Sequence, residues 1–185
     1  MKVLHIITGL NNGGAEGALY RLCLADRSNA HAVASLIGDG IYSERLKAAG
    51  IPVHSTDLRH SFRDPSQLWE LVRIVRRERP DVVQTWMYHA DLLGGLAARL
   101  QGVPVVWGIR HSAFTRGRRE RTWWVARACA LLSRRVPARI VACAHVARDV
   151  HAAMGYESSR MVVIPNGYDL DTLRPDAQLR RGVRA

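Results

Sequence analysis

Short apolar runs alternate with longer amphipathic stretches along the 185 residues of this chain. The apolar runs are residues 2–8, 31–37, 52–56, 81–85, 103–109, 139–144 and 161–164. Most of them are almost continuously apolar, as expected for parallel strands that are buried on both faces. Helices are predicted between them at residues 15–27, 42–49, 65–79, 89–101, 118–135 and 145–154. This order predicts an α/β fold, a doubly wound, mostly parallel sheet with helices on both faces.

The composition excludes several other classes of protein. With 48% hydrophobic and 23% charged residues, the chain is neither disordered nor collagen-like. No apolar run approaches the roughly 18 residues that a membrane-spanning helix needs, and no cleavable signal peptide opens the sequence. Cys23, Cys129 and Cys143 lack metal-ligand spacing, so reduced thiols in a cytoplasmic protein without a metal site are expected.

Positive charge is concentrated in the second half of the chain. The net charge is +11, and residues 110–139 contain nine arginines against one acid, Glu120. Such clustering indicates an anionic partner, which is a nucleic acid, a phosphorylated substrate or an anionic lipid. Arginine bias from a GC-rich genome is an alternative source of the total charge, since lysine occurs only at positions 2 and 47, but it does not explain the clustering.

The loop after the first predicted strand contains a glycine pair. Because ligands bind beyond the carboxyl ends of strands in such sheets, Gly13 and Gly14 are candidates for contacting a ligand through backbone amides at a helix start. A tight turn without a ligand is the alternative. The glycines at 9, 13 and 14 match neither the dinucleotide fingerprint nor the lysine-containing phosphate loop.

Two later loops carry further candidates. His89 lies near a helix start after the run 81–85, where it either binds a ligand or packs and caps the helix. Arg110 and His111 follow the run 103–109 and have strong hydrogen-bonding capacity at a strand's carboxyl end. The other histidines, at 5, 31, 54, 60, 145 and 151, form no predicted cluster and are expected to be structural or solvated.

Four segments together resemble the amino-terminal domain of family-four glycosyltransferases with the GT-B fold. They are HIITGLNNGGAE (5–16), TWMYHADLLGG (85–95), VPVVWGIRHS (103–112) and MVVIPNGYD (161–169). The resemblance covers residues 1–175 with the landmarks in order. It implies retaining transfer of a sugar from a nucleotide-sugar donor to a glycan or lipid-linked acceptor, with no cofactor.

The resemblance also implies roles for particular residues. Gly13 and Gly14 match the glycine loop, near the donor phosphates or the acceptor, and His111 matches the active-site histidine that touches the donor sugar. His89 is a substrate-binding candidate from its place near a helix start, not from the family. Arg110 would neutralise phosphate charge, an inference from its chemistry rather than from the family. The interdomain linker positions are Asn166, Gly167 and Asp169.

The domain organisation follows from the same resemblance. Residues 1–165 are expected to form the acceptor-side, Rossmann-like domain, and residues 166–185 the start of the linker and a tail. The family's carboxy-terminal domain, with its Glu-x7-Glu signature, does not occur in this sequence. The chain alone is therefore expected to be nearly inactive.

The predicted helix 118–135 has two different faces. Its packing face is predicted to comprise Trp124, Val125, Ala128, Cys129, Leu131 and Leu132. On the other face, Trp123 with Arg119 and Arg127 suits an anionic membrane surface, which would place the protein on the inner face of the cytoplasmic membrane. The alternative is a solvated face with Trp123 in cation–π contact with Arg119 or Arg127.

Two other functions are less compatible with the sequence than glycosyl transfer. A non-catalytic basic module would bind an anionic membrane or nucleic acid, but a parallel sheet covered by helices offers no face on which bases stack, so no nucleic acid is expected. A nicotinamide-dependent oxidoreductase would need the dinucleotide fingerprint that this sequence lacks.

Overall fold

The computed structural model describes residues 1–56, 65–112, 120–168, 170 and 175–184. The strands are β1 (Lys2–Ile7), β2 (Ala30–Ser35), β3 (Val53–Ser55), β4 (Val82–Trp86), β5 (Val105–Ile109), β6 (Arg139–Ala142) and β7 (Met161–Val163). The α-helices are α1 (Gly14–Ala25), α2 (Ile41–Ala48), α3 (Pro65–Glu78), α4 (Tyr88–Leu100), α5 (Glu120–Leu132), α6 (His145–Ala153) and α7 (Ala177–Arg184). Every predicted strand and helix is confirmed to within a few residues, whereas α7 was not predicted.

All seven strands of the described ranges are parallel and form one sheet in the order β3-β2-β1-β4-β5-β6-β7. The strand order reverses at β1, which pairs with β2 on one side and with β4 on the other. At the carboxyl end of this junction Ile7 is aligned with Trp86. Doubly wound sheets bind ligands in the crevice at such a switch point, so the loops after β1, β4 and β5 define the candidate site.

Alternate residues of the central strand enter two different cores. Leu4 and Ile6 are fully buried against the side of the sheet that carries α3, α4 and α5. Ile7 is fully buried in a smaller core with α1 and α2. Burying each such side chain contributes about 1.5–3 kcal/mol, which explains why the strands are apolar on both faces.

Helix α4 packs unusually close to the sheet. A Cβ atom on Gly95 would come within 2.6 Å of the Trp107 indole nitrogen, so only glycine allows this approach. The close packing fixes the amino-terminal end of α4, with Tyr88 and His89, beside the crevice.

The predicted packing face of α5 is partly wrong. Trp124 and Leu131 are 67% and 79% exposed, whereas Ala126, Cys129 and Ala130 are buried. The buried positions follow the i, i+3, i+4 spacing of one helix face, and their small side chains let α5 approach α4. Cys129 is buried as predicted, but the helix is rotated so that the small residues Ala126 and Ala130 lie beside it in place of Trp124 and Leu131. Among the described helices, none is both long and apolar enough to cross a bilayer.

Candidate functional site

The glycine loop ends at the start of α1. Gly13 is the N-cap residue of this helix, and its carbonyl oxygen accepts a hydrogen bond from the Gly17 amide at 3.0 Å. A Cβ on Gly13 would meet the Glu16 carboxylate, the end of a flexible side chain that can move aside, and a Cβ on Gly14 would meet open space. Because Glu16 lies beside the positive end of the helix, a phosphate that binds there must displace this carboxylate.

The junction between β4 and α4 is strained at Met87. Its φ of 72° and ψ of 160° lie in a region that only glycine adopts readily, at a cost of about 1–3 kcal/mol. The conformation is held by two hydrogen bonds, from the Met87 amide to the Gly108 carbonyl (3.0 Å) and from the Asp91 amide to the Met87 carbonyl (2.8 Å). Strained residues cluster at functional sites, and this one directs α4 into the crevice. No signal in the sequence marked it.

A buried acid joins the elements around the crevice. Asp91 is inaccessible to solvent, and its Oδ1 atom accepts hydrogen bonds from the Thr85 hydroxyl (2.5 Å) and the Gly108 amide (3.3 Å). Burial raises the pKa of Asp91 to about 8, so the carboxyl group is largely protonated at neutral pH. Asp91 therefore ties α4 to β4 and β5 as a neutral group. It was not among the predicted site residues.

His111 lies on the α4 side of the crevice, half-buried beside Tyr88, with the two ring centroids 6.0 Å apart. The Tyr88 hydroxyl lies 2.7 Å from Nε2 of His151, whose Nδ1 lies 2.7 Å from the Ala147 carbonyl oxygen. The carbonyl can only accept, so His151 donates from Nδ1 and accepts the Tyr88 proton at Nε2. His151 was predicted to be structural or solvated, and it is structural: it fixes Tyr88, the neighbour of His111.

His89 occupies the first turn of α4, as predicted, and is half-buried. Burial lowers the pKa of its imidazole, so the ring is neutral at physiological pH. A neutral imidazole offers both a hydrogen-bond donor and an acceptor to a ligand.

Arg110 contacts other groups than its neighbour His111, which lies beside Tyr88. Its guanidinium carbon lies 4.2 Å from the centre of the Trp86 ring, and its Nη1 atom donates to the Asn166 side-chain oxygen at 2.6 Å. The two neighbouring candidates therefore serve different parts of the site. The predicted phosphate contact of Arg110 remains a prediction, and it would compete with Asn166.

The segment 165–168 crosses back over the sheet towards α1. Arg21 of α1 donates from Nε to the Gly167 carbonyl oxygen at 3.1 Å, and its guanidinium lies 4.8 Å from the Tyr168 ring centre. A groove of about 360 Å³ lies beneath, lined in part by Trp86, Arg110 and Asn166. Arg21 was not predicted, and Asp169 lies outside the described residues.

Of the predicted membrane-facing residues, Trp123 and Arg127 lie on α5. Trp123 is 39% exposed and packs edge-on against Trp124, with their ring centroids 4.8 Å apart. The Arg127 guanidinium lies 5.9 Å from the Trp123 ring centre and donates to the Met154 carbonyl oxygen at 2.5 Å. The cation–π contact weighed in the sequence analysis is thus formed by Arg127, while Arg119 lies outside the described residues.

The architecture is that of one Rossmann-like half of a GT-B fold, as the solved structures show. Anabaena Alr3699/HepE, crystallised in complex with UDP, matches 100% of this chain and 50% of its own, with a TM-score of 0.80 at 20% identity. MurG from Acinetobacter baumannii matches 96% of this chain and 47% of its own, with a TM-score of 0.57 at 22% identity. At these identities the likeness concerns the fold alone.

The sequence comparison identifies the family. The chain matches Glycosyltransferase Family 4 over residues 12–172 and belongs to that family. It is also 28% identical over 116 residues to the Escherichia coli UDP-Gal:alpha-D-GlcNAc-diphosphoundecaprenol alpha-1,3-galactosyltransferase. That match covers 62% of this chain and 30% of the relative, so the chain spans only part of the proteins it resembles.

Proposed function

We propose that this chain is the acceptor-side domain of a retaining glycosyltransferase that moves a sugar from a nucleotide-sugar to a lipid-linked acceptor. The observation that carries the proposal is the family match over residues 12–172, on a sheet in which the glycine loop, His89 and His111 follow the strands next to the switch point. These groups follow three adjacent strands, β1, β4 and β5, so their loops share one edge of the sheet.

The residues of the crevice suit the chemistry of this transfer. The reaction needs a stabilised leaving diphosphate and an oriented acceptor hydroxyl, which hydrogen-bond donors supply without a carboxylate pair. The amino-terminal ends of α1 and α4 favour anions, and His111 is placed beside Tyr88, which His151 fixes. In this proposal a second domain supplies most of the donor contacts.

The relatives suggest the classes of donor and acceptor. The E. coli protein is named for UDP-Gal and a diphosphoundecaprenol-linked sugar, and the Anabaena protein was crystallised with UDP. We therefore propose a uridine diphosphate sugar as the donor and a polyprenyl-diphosphate-linked sugar as the acceptor.

The test compares the 185-residue chain with a protein in which a donor-binding domain follows it. We expect transfer from labelled UDP-galactose to diphosphoundecaprenol-linked GlcNAc only by the longer protein. Multiple turnovers by the chain alone would contradict the two-domain proposal. A longer protein that transfers no sugar from any uridine diphosphate sugar would contradict the donor class.

A surface on α5 supports a second element of the proposal, contact with an anionic membrane. Trp123, Trp124 and Leu131 are 39%, 67% and 79% exposed, and Arg127 lies among them. Helix α5 follows β5, so its amino-terminal tryptophans lie near the edge of the sheet that holds the crevice. Tryptophan favours the headgroup region, and each nearby arginine adds about 1 kcal/mol of attraction to an anionic leaflet. Binding of this surface to the membrane would place the crevice at the depth of the headgroups, where the diphosphate of a lipid-linked acceptor lies.

Co-sedimentation with vesicles tests this contact. We expect the wild-type chain to bind vesicles containing phosphatidylglycerol, but not neutral phosphatidylcholine vesicles, at low salt. Trp124→Ala with Leu131→Ala should reduce binding without unfolding the protein, because both side chains are mostly exposed. Ile41→Ala, 53% exposed on the opposite side of the sheet, is the matched control. Equal binding by the double variant and the wild type would contradict the proposal.

A further inference from the structure

Two histidines beneath the crevice form a pair that the sequence did not indicate. Nε2 of His5, on β1, lies 3.1 Å from Nδ1 of His31, on β2. The sequence analysis predicted no cluster among these histidines, and this was wrong. Cys23 of α1 is also near, with the possible ligand atoms of all three residues within 4.8 Å of one another. Histidine nitrogens and cysteine sulfurs are the usual ligands of zinc, so this cluster is a candidate metal site.

The geometry of the two rings does not fit a shared metal ion. Metal ligands point their lone pairs at a common third point. Here the ring centroids are 5.3 Å apart and the facing nitrogens 3.1 Å apart, so each nitrogen points almost directly at the other. This is the arrangement of an N–H···N hydrogen bond.

Trp86 determines which nitrogen of His5 carries the proton. The Trp86 indole nitrogen lies 3.3 Å from Nδ1 of His5, and an indole N–H can only donate. Nδ1 of His5 is therefore the acceptor, and the proton of the neutral ring is on Nε2. Burial lowers the pKa of His5 to about 3, so the ring is neutral at physiological pH. A metal ion would need the Nε2 lone pair, which this tautomer does not offer.

The same logic fixes His31. Since His5 donates from Nε2, Nδ1 of His31 accepts and its proton is on Nε2. That atom lies 3.1 Å from the backbone carbonyl oxygen of Asp26 and 3.5 Å from its carboxylate. A one-way series of hydrogen bonds thus runs from Trp86 through His5 and His31 to Asp26.

The other end of this series reaches the linker segment. The Trp86 indole, fixed through its N–H, lies against the guanidinium of Arg110, which donates to Asn166. We propose that His5 and His31 are positioning residues. Their fixed tautomers hold the Trp86 ring in place as the platform on which the Arg110 guanidinium lies. Through Arg110 they also position the segment around Asn166. Any effect of this positioning on glycosyl transfer rests on the proposed function, whereas the contacts among Trp86, Arg110 and Asn166 do not depend on it.

Nitrogen-15 NMR of the histidine-labelled chain tests the tautomers directly. We expect the neutral Nε2–H tautomer for both rings between pH 6.5 and 8, and no change of either ring's signals on addition of one equivalent of Zn²⁺. Trp86→Phe removes the fixed donor, so the Nδ1–H tautomer of His5 should become populated. A Nδ1–H tautomer of His5 in the wild type, or stoichiometric zinc binding by both rings, would overturn the proposal.

A pair of variants tests the positioning role. In His5→Phe the Trp86 indole N–H loses its acceptor, so its hydrogen exchange should accelerate roughly tenfold. The side-chain amide resonance of Asn166 should also shift. His54→Phe is the matched control, because His54 is a half-buried strand histidine that pairs with Glu78 (2.7 Å) outside this series.

An unmoved Asn166 amide in folded His5→Phe would refute the positioning role. If that variant does not fold, the tautomers of the wild-type histidines still show whether the series of hydrogen bonds exists. The side-chain amide resonance of Asn166 in Trp86→Phe then shows whether the Trp86 ring acts on the segment around Asn166. All these spectra are taken without a sugar donor. A failure of the proposed transferase activity would therefore leave the result unchanged.

Discussion

Arg110 and Asn166 are joined by a 2.6 Å hydrogen bond that connects the end of β5 to the segment after β7. Arg21 holds the same segment from the side of α1, through the Gly167 carbonyl oxygen and the Tyr168 ring. Two arginines from distant parts of the sequence thus fix the direction of the segment 165–168. In a two-domain protein this direction would set the width of the crevice.

Removing either arginine should loosen this segment. We expect Arg21→Ala and Arg110→Ala to increase the rate of chymotrypsin cleavage after Tyr168 several-fold, because the ring and the backbone before it lose their contacts. The rate is measured by mass spectrometry of the native protein. Arg148→Ala is the control, since Arg148 pairs with the adjacent Asp149 on α6, away from this segment. Equal rates in all the variants would show that other contacts hold the segment.

His111 is expected to matter for turnover far more than a structural histidine does. In a protein that carries the donor-binding domain, His111→Ala should lower kcat/KM by an amount equivalent to about 2–4 kcal/mol of barrier. His54→Ala should have little effect, because Glu78, the partner of His54, keeps its ion pair with Lys2 (2.8 Å). Steady-state kinetics with both variants checks this. Equal activity would move the site elsewhere, and His89 would be the next candidate.

The sheet could be predicted from the sequence because buried parallel strands are recognisable one at a time. Runs such as 103–109 are apolar throughout, and the helices between them follow from amphipathic spacing. The rotation of α5 could not be predicted in this way. Whether Trp124 or Ala126 faces the core depends on how α5 packs against α4, a contact between residues that are far apart in the sequence.

The sequence predicted which segments hold the candidate site residues, but not which side chains contact one another there. Gly13, His89 and His111 stand at strand ends, a position that the sequence reveals. The pairings of Tyr88 with His151 and of His5 with His31 join residues 63 and 26 positions apart, and no local pattern encodes them. The sequence around Met87 did not indicate its strained backbone either, because that conformation depends on a hydrogen bond to Gly108 of the neighbouring strand.

Met87 offers a test of strain at the crevice. Glycine is ordinarily less favourable than alanine, because it loses more conformational entropy on folding. At this position the order should reverse, with Met87→Gly more stable than Met87→Ala by about 1 kcal/mol or more, since only glycine adopts the observed φ and ψ without strain. Denaturant unfolding of the two variants measures the difference. An alanine variant at least as stable as the glycine variant would show that the junction is not strained.

The protonation of Asp91 should make the stability of the protein depend on pH. Burial raises its pKa from an ordinary value near 3.8 to about 8, so between these values the unfolded chain has lost a proton that the folded chain keeps. The contribution of Asp91 to the free energy of unfolding therefore falls as the pH rises between these two values, by up to about 1.4 kcal/mol per pH unit. In Asp91→Asn the amide oxygen accepts from the Thr85 hydroxyl and the Gly108 amide, and the amide nitrogen replaces the protonated oxygen.

Asp91→Asn lacks the titrating carboxyl group. The buried histidines contribute equally to the pH dependence of the variant and of the wild type, so their effect cancels in the comparison. We expect the free energy of unfolding of Asp91→Asn, relative to wild type, to increase by about 1–3 kcal/mol between pH 5 and pH 7.5. Asp149→Asn, at an exposed aspartate paired with Arg148, should leave the pH dependence like that of the wild type. Urea unfolding at several pH values gives these differences. A constant difference between Asp91→Asn and wild type would mean that Asp91 is already ionised in the folded protein at pH 5.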